Sequence, residues 1–192
     1  MCALLSACPN AGSETEGETG ATETSAAATA VDPTMGEPVG PGELKALVLP
    51  MLWMPVAADA DPLAMHRPEA VTCPLGAWLF DAEGIEVNTQ TCNYGSFVQP
   101  SKVEIVPGAR IVGSLYHFDL LAAEPATAHV ALLVGEVLVW EQEIAIPGKA
   151  NAFTIDLPAS FAAPAGTPVN FHLHNHGQNN WHLGALQVEV FP

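Results

Sequence analysis

Between Val169 and His174 apolar and polar side chains alternate strictly, Val169, Phe171 and Leu173 against Asn170, His172 and His174. A period of two marks a strand with one face in a core and the other free for solvent or for chemistry. The segment His176-Gly177-Gln178-Asn179-Asn180 reads as a loop into a second strand, Trp181 to Val190. Pairing His176 with Trp181 sets Val169 opposite Val188, Phe171 opposite Leu186 and Leu173 opposite Gly184, so one face is apolar throughout. On that reading the other face gathers His172, His174 and His176 beside Trp181, Leu183 and Ala185.

Short strands broken by turns continue upstream. Ala77 to Phe80 and Ile85 to Asn88 flank the turn Asp81-Ala82-Glu83-Gly84. Pro107-Gly108 precedes Ile111 to Leu120, and Pro147-Gly148 and Pro164-Ala165-Gly166 bound a strand around Phe153 to Leu157. Ala128 to Val134 and Val137 to Ile146 flank Gly135-Glu136, a two-residue connection with Gly first, which favours a type II′ hairpin. The Pro-, Ala- and Asp-rich stretch Met51 to Pro68 has no clear period and is assigned no element; it wraps the domain with Trp53 as anchor. No amphipathic helix and no internal repeat is evident. The pattern predicts an all-β sandwich or barrel.

This order of strands resembles the jelly-roll β-sandwich of the galactose-binding-like superfamily. The resemblance is carried by Pro107-Gly108 with Gly113 to Leu120, by Ala128 to Gly135, and by Gly166 to His172 with the hairpin that follows. It spans residues 70 to 190 and implies a non-catalytic module that binds sugars or other surface ligands, with the ligand itself left open.

Charge narrows the partners. Twenty-one Asp and Glu stand against five Lys and Arg, a formal net charge of −16. Phosphate binding needs a basic footprint, so nucleic acid is excluded as an expected partner, and anionic membranes are disfavoured for the same reason. No run of eighteen apolar residues occurs to span a bilayer. Residues 1–8 end in Leu5-Ser6-Ala7-Cys8, which resembles a bacterial lipobox. That resemblance implies a lipidated Cys8 and attachment to an outer membrane or cell surface by the anchor alone. Without the anchor, a periplasmic or extracellular location is expected. Residues 9–43 are rich in Glu, Thr, Ser, Ala and Gly and contain no basic residue until Lys45, a composition that cannot bury enough surface to fold. They read as an acidic tether ahead of a domain at residues 44–192. Beyond the tether only Cys73 and Cys92 remain. With Ala82 and Glu83 at the tip of their hairpin they fall opposite each other, close enough for a disulfide; the alternative is two buried free thiols.

Two chemistries suit the His-bearing face. Same-face residues two apart on a strand lie about 6.5–7 Å apart, so His172 and His174 can converge on one ion. His176 or His182 can join from the loop, and His117 or His129 from other strands; the set His172, His174, His176 and His117 favours copper or zinc over calcium or magnesium. The other chemistry is a sugar platform, Trp181 supplying a flat apolar surface and Gln178, Asn179, Asn180, His172 and His174 the polar groups. Gly166, His172, His174, Gln178 and Gly184 resemble the first cupin motif, but its glutamate ligand would fall at Gln178 or Asn179. An ordinary wet face, in a purely structural surface protein, is the remaining alternative. Nothing identifies a catalytic residue: no Gly-x-Ser-x-Gly elbow occurs, and Glu141 and Glu143 read as a solvated strand face. An enzyme is expected only as a metal-dependent one.

Overall fold

The computed structural model describes residues 42–191. Cys8, its lipobox-like context and nearly all of the tether lie outside the described residues. Among the described residues the elements are twelve strands and three short 3₁₀ turns. The first strands are β1 (Glu43–Ala46), β2 (Met54–Pro55), β3 (Trp78–Phe80) and β4 (Ile85–Asn88). Four longer ones follow, β5 (Tyr94–Pro100), β6 (Arg110–His117), β7 (Ala126–Val134) and β8 (Val137–Ile146). The last are β9 (Asn151–Pro158), β10 (Pro168–His174), β11 (Asn180–Leu183) and β12 (Gln187–Val190).

All strand pairs are antiparallel. One sheet runs β2-β5-β10-β7-β8. In the other, β9 and β11 flank β6, β4 and β3 continue beyond β11, and β1 adds to β12. Strands β4 to β11 therefore divide between the orders β4-β11-β6-β9 and β5-β10-β7-β8, two Greek keys wound into a jelly roll, as the resemblance implies.

The core lies between the sheets. Phe171 pairs with both Phe97 and Leu132, and Leu173 with Val130, so the apolar face of β10 continues into both neighbours. The facing sheet contributes Ile85, Val87, Ile111, Leu115, Ile155, Trp181, Leu183 and Val188, each no more than 2% exposed. Each such burial contributes on the order of 2 kcal/mol. Gly135 takes φ +59° while Glu136 keeps a negative φ, the type II′ geometry expected there. Gly84 is required by close approach, since a Cβ there would sit 1.8 Å from the Leu183 carbonyl oxygen.

One expectation is corrected: Val169–His174 and Trp181–Val190 do not form a hairpin. The loop between them carries the chain across the sandwich: β10 pairs with β5 and β7, whereas β11 pairs with β4 and β6. Asn179 makes the crossing at φ 130°, and its side-chain Nδ2 donates to the Asp119 carbonyl at 2.7 Å. The second segment also splits at Gly184 into β11 and β12. Tyr94–Pro100 shows no alternation in sequence because the strand is covered on both faces.

Cys73 and Cys92 are joined by a disulfide. The pairs Trp78↔Val87 and Phe80↔Ile85 keep the register that sets these cysteines opposite each other. Asp81 Oδ1 closes the turn by accepting from the backbone N–H groups of Glu83 and Gly84.

Candidate metal centre

The polar side of β10 is not a wet face. Residues 56 to 67 cross it as a strap. The Val56 N–H donates to the Ser96 carbonyl at 2.8 Å, and Leu63 packs on Ala131 and Leu133. Asp61, its side chain wholly buried, is the strap's anchor: it accepts from the Tyr94 hydroxyl and from Ser96 Oγ, and lies 3.7 Å from the Arg67 guanidinium. Arg67 in turn sits over the Tyr94 ring.

His172 is central on this covered face. Its cross-strand neighbours, Ser96 and Ala131, are small and leave room for the imidazole. His129 stands one pair along, opposite His174. His66, from the 3₁₀ turn Ala64–His66 of the strap, closes the group from above. Ring centroids are 5.1 Å apart for His129 and His172, 5.5 Å for His66 and His172, and 3.9 Å for His66 and His129. One ring nitrogen from each of the three lies within 4.8 Å of the other two.

The hydrogen bonding of this group is incomplete. Both nitrogens of His172 are buried without a partner, as are Nδ1 of His129 and Nε2 of His174. An unpartnered buried polar atom costs about 1–3 kcal/mol, so four of them on one face is unusual. His129 is oriented from outside: its Nε2–H donates to the Glu141 carboxylate at 3.3 Å, which leaves Nδ1 with the lone pair. Glu141 thus has a partner, where the sequence suggested only a solvated position.

Burial holds the His172 imidazole neutral, its pKa down at about 3, with His129, His66 and His174 adding to the shift. Burial lowers His174 to about 4, helped by His176. His66 is also lowered, by burial and then by His129, against the opposing pull of Glu141, Glu143 and Asp61. Neutral imidazoles with free lone pairs, ringed by carboxylates, suit a transition-metal cation.

The residues expected at the site separate. His172 is in the cluster and His174 beside it, with His176 a further 4.4 Å from His174 between ring centroids. His117 is not there: it lies on the inner face of the opposite sheet, against Trp181 at 4.5 Å, with Nδ1–H donating to the Phe118 carbonyl. Trp181 is fully buried, so it offers no platform to a sugar. Asn179 and Asn180 serve the sheet crossing, Asn180 donating to the Glu86 carboxylate, and Gln178 lines an open groove instead. His182 is on the outer face of the opposite sheet, stacked on Tyr116 and 3.4 Å from Asp81. Beside His172 the cluster takes His66 and His129 where the sequence points to His174, His176 and His117, with His129 only as an addition from another strand. His129 carried a visible signal, a lone His in an apolar strand; His66 carried none, since its segment has no period.

No protein-family model matches the chain, and no curated protein matches it. Among solved structures the chain is similar to the K1 cleaved adhesin domain of Lys-gingipain from Porphyromonas gingivalis W83. The identity is 14%, the TM-score 0.41, and the match covers 79% of this chain and 99% of that one. It is also similar to TmCBM61 in complex with beta-1,4-galactotriose, at 10% identity and TM-score 0.36, over 78% of this chain and 88% of that one. The family 11 carbohydrate-binding module from Clostridium thermocellum is similar at 14% identity and TM-score 0.28, over 56% and 76%.

Proposed function

We propose that this domain is a non-catalytic binding module for a transition-metal ion, copper(II) or zinc, held by His66, His129 and His172. The observation that carries it is His172: an imidazole 1% exposed, with neither nitrogen partnered, beside a stacked pair of two other imidazoles. Metal–imidazole bonds of about 2.0–2.1 Å in a tetrahedral set hold two nitrogens about 3.4 Å apart. The nitrogens, now within 4.8 Å of one another, therefore close by up to about 1.4 Å as the cluster loads. His66 supplies that movement, because a ring parallel to His129 must turn before both lone pairs reach one ion.

The test is titration of the full chain with Cu(II) and with Zn(II), counting bound ions by native mass spectrometry. One ion is expected at the cluster and is lost in His172→Ala; His182→Asn, on the other sheet, keeps it. Equal binding by wild type and His172→Ala overturns the reading.

We further propose export with a lipid anchor at Cys8, supported by Leu5-Ser6-Ala7-Cys8 and the acidic stretch after it. Mass spectrometry of the protein from a bacterial host is expected to find an acylated Cys8 as first residue. An intact, unacylated N-terminus extending through Cys8 overturns it.

A further inference from the structure

A groove of about 500 Å³ opens at the end of the sandwich where β10 finishes, lined among others by Thr89, Asn93, Asn175, His176 and Gln178. His176 is exposed in it. Its ring meets the His174 ring edge-on, with centroids 4.4 Å apart at 61°. Nε2 of His174 is buried and unpartnered, and so is Oδ1 of Asn175, whose Nδ2 donates to the Gly177 carbonyl. Two imidazoles, one exposed in the groove and one with a buried, unpartnered nitrogen, thus meet at the end of β10. His174 is next to His172 on the same face of β10, yet the ring nitrogens that lie within 4.8 Å of one another are those of His66, His129 and His172, without His174.

We propose that His174 and His176 form a second, outer transition-metal site, facing the groove and distinct from the three-His cluster. This rests on the reading of the cluster as a metal centre. The site takes the same class of ion, a borderline divalent cation that accepts nitrogen ligands, with groove water completing its coordination. The intrinsic weakness of two protein ligands makes this ion the more readily lost of the two. His176, His174 and His172 then form a series of increasing burial, from exposed to 1% exposed, along which an ion reaches the inner site.

The full chain is titrated with Cu(II) alone and with Zn(II) alone, counting ions by native mass spectrometry and following Cu(II) by paramagnetic resonance. Wild type is expected to take a second ion after the first. His176→Ala and His176→Gln, changes at an exposed position, are expected to lose that second ion, keep the first, and load it more slowly. His172→Ala is expected to lose the inner ion and retain the outer. A wild type that never exceeds one ion, or a His176→Ala variant that still takes two at unchanged rate, overturns the outer site and leaves the inner one standing. A first ion insensitive to His172→Ala overturns the inner reading instead.

Discussion

The His66 ring lies flat on the His129 ring, 3.9 Å between centroids and 5° from parallel. One residue comes from an aperiodic strap and the other from an interior strand, so their contact measures how well the strap is seated. Two charged imidazoles stacked this closely repel each other, and the parallel rings must turn out of the stack before both lone pairs reach one ion.

Asp61 seats the strap, so its loss is expected to act on His66 at a distance. Asp61→Ala leaves the Tyr94 hydroxyl and Ser96 Oγ without their acceptor, and about 1–3 kcal/mol of stability is expected to go with it. Metal affinity is expected to fall by about 10–100-fold, the usual effect of removing support from a ligand. Urea unfolding and competitive metal titration measure the two effects; Asp61→Asn, which keeps an acceptor oxygen, is expected to recover part of both.

Acid is expected to destabilise the metal-free protein in a defined window. His172 binds a proton near 6.5 when unfolded but only at about 3 when folded. Between these values the unfolded chain holds the extra proton, so stability is undiminished above pH 6.5 and falls as pH drops below it. At pH 5 His172 alone accounts for about 2 kcal/mol. His174 and His66 shift in the same direction, while Glu141, Glu143 and Asp61 oppose part of the effect on His66. Thermal unfolding from pH 7.5 to pH 4.5 checks this. A His172→Leu variant, apolar at the same buried position, is expected to show a shallower slope.

Reduction of the Cys73–Cys92 bond is expected to lower stability. The bond spans 19 residues. Closing a loop of that length restricts the unfolded chain by about 3 kcal/mol in the chain-entropy picture. Unfolding with and without reductant, or in Cys73→Ser/Cys92→Ser, measures it, and little change at neutral pH counts against the entropic account.

Trp181 is expected to behave as core. Trp181→Ala removes a fully buried indole packed against His117, and about 3–5 kcal/mol of stability is expected to be lost. Trp181→Phe is expected to restore most of it while leaving metal binding unchanged. A glycan platform would give the contrary pattern, lost binding on a stable fold.

Much of this protein was legible before its structure. The inward face of β10, the Gly135-Glu136 turn and the facing cysteines all follow from local rules, because backbone periodicity and turn chemistry act over a few residues; the jelly-roll order came only as what the resemblance implied. What local rules do not carry is which sheet a strand joins. Trp181 and His176 are near neighbours in the chain, and a simple turn would have made them partners; backbone pairing with β4 and β6 instead draws Trp181 into the opposite sheet and the core. The same holds for the metal centre. The alternation of β10 put His172 and His174 on one face, but His129 and His66 reached it only through cross-strand register and a strap pinned by Asp61. Side chains brought together by long-range hydrogen bonding leave no period in the sequence, so their meeting was decided by the tertiary fold alone.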